Sequence, residues 1–247
     1  MHSSPTALLV LTFALLVGSL TACGDAPPQS ERDERTTFGD GYAADAVEAA
    51  PAQDERLTPT PNAARIVVLG DSLAAGLHLP SRQAFPALLE QALLRDGHAI
   101  QLVNAGVSGD DTAGGLARLD WVLGRDPAIV ILELGGNDGL RGRAVADVES
   151  NLRALVAGIR ERQATPLLLG MQMPTSHGAE YATAFRQVYE RVAEDLSVAF
   201  VPDFLAGVGG IPSMNLPDGI HPTPEGHARL AENVLPALRE LVRERGL

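Results

Sequence analysis

The sequence predicts an α/β domain, three layers (α/β/α) around a parallel sheet of about five strands. Three observations carry that reading. Short apolar, β-branched runs alternate with longer stretches whose apolar residues recur at helical spacing. The runs lack polar alternation, as expected of strands covered on both faces. Polar and glycine-rich clusters stand directly after them, at the carboxyl ends of strands where open sheets bind ligands.

The elements follow in order within residues 65–247. Ile66 to Leu69 is the first strand. Arg82 to Asp96 is a helix with Phe85, Leu88, Leu89, Ala92 and Leu93 on one stripe. Ile100 to Val103 is the second strand, followed by a helix from Ala113 to Leu123. Ala128 to Leu134 reads AIVILEL and is the clearest buried strand. Arg143 to Gln163 predicts a long helix facing inward through Val148, Leu152, Leu155, Val156 and Ile159. Pro166 to Met171 is the fourth strand, Ala179 to Leu196 a helix, Val198 to Val201 the fifth strand, and Glu225 to Arg245 the closing helix. Parallel strands joined through helices take right-handed crossovers, which puts helices on both faces.

Composition narrows the class. The chain has 247 residues and a formal charge of −12, and all 19 basic residues are arginine. An acidic chain without a basic stripe is no binder of nucleic acid. The single cysteine, Cys23, excludes an internal disulfide framework and a multi-thiolate metal centre.

Two N-terminal segments precede the domain. Ala7 to Leu20 is apolar apart from Thr12 and Ser19, short for a membrane span and suited to the core of a signal peptide. It leads into Leu20-Thr21-Ala22-Cys23, which resembles the lipobox of bacterial lipoproteins, although Met1 to Thr6 carries no Arg or Lys. The resemblance implies a signal peptide over residues 1–22 and a membrane anchor through lipidated Cys23. Gly24 stands where lipoproteins kept in the inner membrane carry Asp, so the same resemblance implies an exported, outer-membrane protein facing the periplasm. Residues 23–64 hold nine acidic residues against three arginines, with prolines at 27, 28, 51, 59 and 61. Such a segment reads as a disordered acidic tether with a reach of about 35–40 Å.

The chemistry collects at the strand ends. Gly70-Asp71-Ser72-Leu73 follows the first strand and offers a hydroxyl on a glycine-assisted turn. Asn104-Ala105-Gly106-Val107-Ser108-Gly109 follows the second, and Gly135-Gly136-Asn137-Asp138 the third. Asp218-Gly219-Ile220-His221-Pro222 precedes the last helix. A hydroxyl, a carboxylate, an imidazole and neutral donors form an acyl-transfer set. As a metal site, Asp218 and His221 lack a third protein ligand in the sequence around them.

These four blocks, in this order, resemble the GDSL or SGNH hydrolase family, across nearly all of residues 65–247. The string Leu134-Gly135-Gly136-Asn137-Asp138-Gly139-Leu140-Arg141-Gly142 is similar to its bacterial periplasmic thioesterase, lysophospholipase and arylesterase branch. The resemblance implies the flavodoxin-like SGNH hydrolase fold and a serine ester hydrolase needing neither cofactor nor metal. It implies Ser72 as nucleophile, His221 as general base and Asp218 as the residue orienting His221. It also implies an oxyanion hole of the Ser72 and Gly106 N–H groups and the Asn137 amide. The substrate would be a small acyl ester, thioester or lipid. Alternatives are a carbohydrate O-acetyl esterase of the same fold, disfavoured by few aromatic residues, and a non-catalytic lipid-binding lipoprotein.

Other polar residues read as structural. Asp71 braces its turn, Asp138 fixes the Asn137 loop, and His227 lies within the last helix. His78 and His177 read as exposed loop histidines. Glu133, inside a strand, calls for a buried partner such as an arginine. Leu77, Leu79, Met173, Ile211 and Met214 are the loop apolars available to line an acyl groove.

Overall fold

A computed structural model describes residues 63–124 and 126–247. The apolar leader, Cys23 and the acidic segment as far as residue 62 lie outside the described residues. Five strands, β1 (Ala64–Gly70), β2 (Ile100–Gly106), β3 (Ile129–Glu133), β4 (Thr165–Leu169) and β5 (Ala199–Val201), form one sheet in the order β2-β1-β3-β4-β5. Every neighbouring pair is parallel. This is the flavodoxin-like order, in which the chain reverses its direction of winding between β1 and β3.

Helices cover both faces. α2 (Phe85–Arg95) and α8 (Pro224–Glu244) pack together on one side. α6 (Val145–Glu161) and α7 (Ala179–Leu196) pack on the other, beside α3 (Thr112–Ala117) and α4 (Leu119–Leu123). The central strands are therefore apolar without alternation: all of Ile129, Val130, Ile131 and Leu132 are fully buried. The helices, by contrast, bury only one stripe each, Val148, Leu152, Leu155, Val156 and Ile159 in α6. α8 contains Pro236, but its exposed position leaves the lost backbone bond facing water.

The sheet brings three strand ends to one level, with Gly70 paired to both Gly106 and Glu133. The loops that follow are short and internally tied. Arg118 is the main tie. Its guanidinium donates to Gly70 O at 2.9 Å and Ala105 O at 2.7 Å, and its Nε meets Asp110 Oδ2 at 2.7 Å. The single helix expected over 113–123 is consequently two. The backbone leaves helical geometry at Arg118, with φ −104° and ψ 4°. Two further short helices occupy stretches that the sequence suggests are turns, α1 (Ser72–Ala75) and α5 (Gly136–Leu140).

Two long-range bonds set the helix ends around these loops. The buried Tyr189 hydroxyl of α7 donates to Leu134 O at 2.9 Å and fixes the exit of β3 just before Gly135. No side chain of its own segment caps α2, and Phe85 N donates instead to His227 Nδ1 at 3.2 Å, 142 residues away. His227 is buried, which lowers its pKa to about 4 and keeps the ring neutral and able to accept.

Candidate active site

β1 delivers Ser72 to the carboxyl edge of the sheet as the first residue of α1. Helix starts leave backbone N–H groups without partners, and here nearly all are satisfied. Glu133 Oε2 accepts from Asp71 N and Ala74 N, each at 3.1 Å. Asp71 Oδ1 accepts from Leu73 N at 2.9 Å. The Ser72 N–H has no partner among the described residues, so it is the spare donor of the turn.

The Ser72 hydroxyl meets the other end of the chain. His221 Nε2 lies 3.0 Å from Ser72 Oγ across 149 residues, and His221 Nδ1 lies 2.7 Å from Asp218 Oδ2. The other Asp218 oxygen accepts from Ile220 N and His221 N at 2.9 and 3.0 Å. The His221 N–H first, then its imidazole and the Ile220 N–H, hold the Asp218 carboxyl well below the usual carboxylate range. The loop is pinned from behind. Leu216 N donates to His221 O at 2.7 Å, and buried Asn215 bonds Val208 O and Ile211 O. Thr223, directly after it, caps α8 through Gly226 N.

β3 delivers Asn137. Its amide nitrogen donates to Asp71 Oδ2 at 3.1 Å and to Asp110 O at 2.9 Å. Asp71 thus braces its own turn and also aims the Asn137 amide. Its burial raises its pKa to about 6. Asp138 accepts from Thr112 N and Thr112 Oγ1 at 2.8 and 2.7 Å, which ties the Asn137 segment to the start of α3. Burial raises its carboxyl too.

Two expectations are corrected. Among the described residues Glu133 has no arginine partner: it is fully buried, its Oε2 is bonded by the two backbone N–H groups, and its Oε1 has no hydrogen-bond partner among them. Burial first, then the Asp71 carboxyl, raise its pKa well above the ordinary 4.5. Gly106 does not offer its N–H to the site: that group donates to Asn104 Oδ1 at 2.9 Å. Its lack of a side chain serves packing, because a Cβ there would collide with the backbone of Ala74 and Ala75. The neighbouring donor without a partner among the described residues is Gly109 N, in the turn whose Asp110 carbonyl accepts from Asn137. A second glycine in Gly106-Val107-Ser108-Gly109, where φ is +84°, was the sequence signal for it.

The loop histidines differ from each other. His177 bonds Leu140 O at 3.0 Å. His78 is exposed, yet its ring faces that of His221, with centroids 5.8 Å apart. Of the groove candidates, Leu77, Leu79, Met173 and Met214 are partly buried and Ile211 is exposed.

A hydroxyl hydrogen-bonded to an imidazole, with the far nitrogen held by an ionised carboxylate, is equipment for acyl transfer at a serine. Placed at the switch point of this sheet, it defines a serine hydrolase of carboxylic esters. The chain belongs to the GDSL-like lipase/acylhydrolase family, which it matches over residues 68–229. Esterase TesA of Pseudomonas aeruginosa is 46% identical over 187 residues, 75% of this chain and 93% of that protein. The arylesterase of Vibrio mimicus is 38% identical over 171 residues, 69% of this chain and 86% of its own length. Thioesterase 1/protease 1/lysophospholipase L1 of Escherichia coli K12 is 36% identical over 178 residues, 72% and 84% of the two chains. A crystal structure of TesA has a TM-score of 0.70 at 47% identity, covering 72% of this chain and 99% of that one.

Two variants probe the floor of the site. Gly106→Ala should destabilise the domain by about 1–3 kcal/mol through overpacking against α1, and should slow turnover because α1 carries Ser72. Denaturant unfolding and ester kinetics on the same preparation check both. Glu133 and Asp71 hold protons in the folded state above their ordinary values of 4.5 and 3.8. The folded state therefore binds more protons than the unfolded chain, and their contribution is full in acid and lost as pH rises through the folded values. Glu133→Gln removes the larger part of that loss. Its urea midpoint should fall less than that of the wild type between about pH 5 and about pH 8.

Proposed function

We propose that this protein hydrolyses acyl esters and thioesters through an acyl intermediate on Ser72. The observation that carries the reading is the unbroken hydrogen-bond line from Ser72 Oγ through His221 to Asp218, beside a spare Ser72 N–H. As Oγ attacks the substrate carbonyl carbon, His221 Nε2 takes its proton. Asp218 holds the Nδ1–H and stabilises the imidazolium without itself taking the proton. The carbonyl oxygen becomes an oxyanion, received by the N–H groups of Ser72 and Gly109 and by the Asn137 amide. Both Asn137 amide hydrogens are engaged in the free protein, by Asp71 and Asp110, so the oxyanion takes one of them over.

Collapse of the intermediate breaks the bond to the leaving alcohol or thiol, which receives the proton from His221. Water then enters, His221 takes a proton from it, and the hydroxide attacks the acyl carbon. The acid departs and the proton returns to Ser72 Oγ. The relatives named as an arylesterase and as a thioesterase and lysophospholipase support acyl esters and thioesters as the substrate class. Leu77, Leu79, Met173 and Met214 give the acyl chain an apolar, adaptable lining.

The same proposal includes place. The protein is exported, cut before Cys23, lipidated there and held at the outer membrane by residues 23–64, with the catalytic domain facing the periplasm. The apolar run and Leu20-Thr21-Ala22-Cys23 support it. A diacyl or triacyl Cys anchors stably where one chain does not.

Ser72→Ala should abolish hydrolysis of aryl esters with unchanged unfolding, because the hydroxyl supplies chemistry and no packing. Asn137→Ala should lower kcat about 10²–10³-fold with a smaller change in KM, since the amide meets charge present only in the transition state. An aryl-ester series of increasing acyl length, run on both variants and the wild type, reads these effects and the depth of the groove. Near wild-type turnover by Ser72→Ala would refute the mechanism. Intact-mass measurement of the mature protein should find Cys23 as a lipid-modified N-terminus; an unmodified N-terminus would mean a freely secreted esterase.

A further inference from the structure

His78 brings a second imidazole to the site, and its ring meets that of His221 edge-on, with 87° between the planes. One donor atom each from His78, Asp218 and His221 lie within 4.8 Å of one another. His78 supplies the third ligand that the residues around Asp218 and His221 lack. It makes no hydrogen bond among the described residues, so no such bond has to be broken for its ring to turn. Two imidazoles and a carboxylate, with a fourth position open to solvent, are the donors of three-ligand zinc sites. Tetrahedral zinc wants donors about 3.3–3.5 Å apart, so modest side-chain rotation closes the set.

We propose that His78, Asp218 and His221 form a binding site for a divalent transition-metal ion that switches the hydrolase off. Whichever nitrogen of His221 the ion takes, one bond of the line is lost, Nε2 to Ser72 or Nδ1 to Asp218. An imidazole whose free lone pair is on a metal cannot accept the serine proton. Imidazole donors select Zn²⁺, Cu²⁺ or Ni²⁺ over Mg²⁺ and Ca²⁺, which prefer all-oxygen shells. The inhibition rests on the role given to His221 under the proposed function, whereas the metal site rests on geometry alone.

The test compares the full mature chain with His78→Asn, using Zn²⁺ as the ligand. Asparagine suits the left-handed backbone at position 78, where φ is +69°, and it is a poor zinc ligand. Calorimetry reads binding, and aryl-ester hydrolysis reads inhibition. The wild type should bind one Zn²⁺ and lose turnover saturably, with recovery on EDTA and no effect of Mg²⁺. His78→Asn should match the wild type in chelated buffer, yet bind Zn²⁺ and respond to it at least about tenfold more weakly, since losing a ligand costs no less than losing a ligand's outer-shell partner. No binding to the wild type, or equal binding to both proteins, overturns the site and leaves the role of His221 standing. Binding weakened by His78→Asn but without loss of turnover overturns the switch, and it removes His221 from the proposed mechanism as well.

Discussion

Glu133 reaches from the last position of β3 to the turn after β1 and accepts two of its backbone N–H groups, and the placement of Ser72 depends on that reach. A four-residue helix begun in the interior leaves backbone donors in its first turn that its own carbonyls cannot reach. Each one left unpaired costs about 1–3 kcal/mol. One buried carboxyl oxygen settles two of them, Asp71 settles a third, and the remainder is the Ser72 N–H. Gly70 is part of the same arrangement, because any side chain there would occupy the space of the Glu133 carboxyl and Ala74. The backbone that carries both the hydroxyl and the spare N–H is thus held by one constraint.

The acids of the site fall into two environments. Glu133, Asp71 and Asp138 are buried, and burial pushes each towards its neutral form. They accept hydrogen bonds and define where loops sit. Asp218 lies on an exposed loop, where two N–H groups and an imidazole keep it ionised. The carboxylate held negative beside the His221 imidazole is therefore the one in contact with water. Charging the buried three would weaken the fold, a trade-off common where a site is built from polar groups in the interior.

Fold class, strand order of appearance and the four polar blocks were legible in the sequence, because buried parallel strands leave an unmistakable apolar run and their ends carry the polar residues. Periodicity located α6, α7 and α8 well because each has a long amphipathic stripe. It missed the break at Arg118, where a side chain bonded to two strand ends overrides local propensity. The partner of Glu133 was invisible because backbone N–H groups leave no residue-type signature. The choice between Gly106 and Gly109 likewise turned on one side-chain bond from Asn104, which spacing does not encode. The approach of His78 to His221 joins loops far apart in the chain, beyond any local pattern.

The cap on α2 has a temporal meaning. Phe85 N finds its acceptor on His227, and the hydroxyl of Ser72 finds His221, so both early elements are completed by the last helix and the loop before it. Contacts so far apart in sequence form only after a large loss of chain entropy, which makes their closure a late event. During synthesis, the growing polypeptide holds Ser72, Asn137 and all five strands before His221 has been added. A chain cut short before α8 lacks the cap, and one cut before residue 221 lacks His221 as well. The hydrogen bond to Ser72 and the cap on α2 therefore both wait for the last helix and the loop before it.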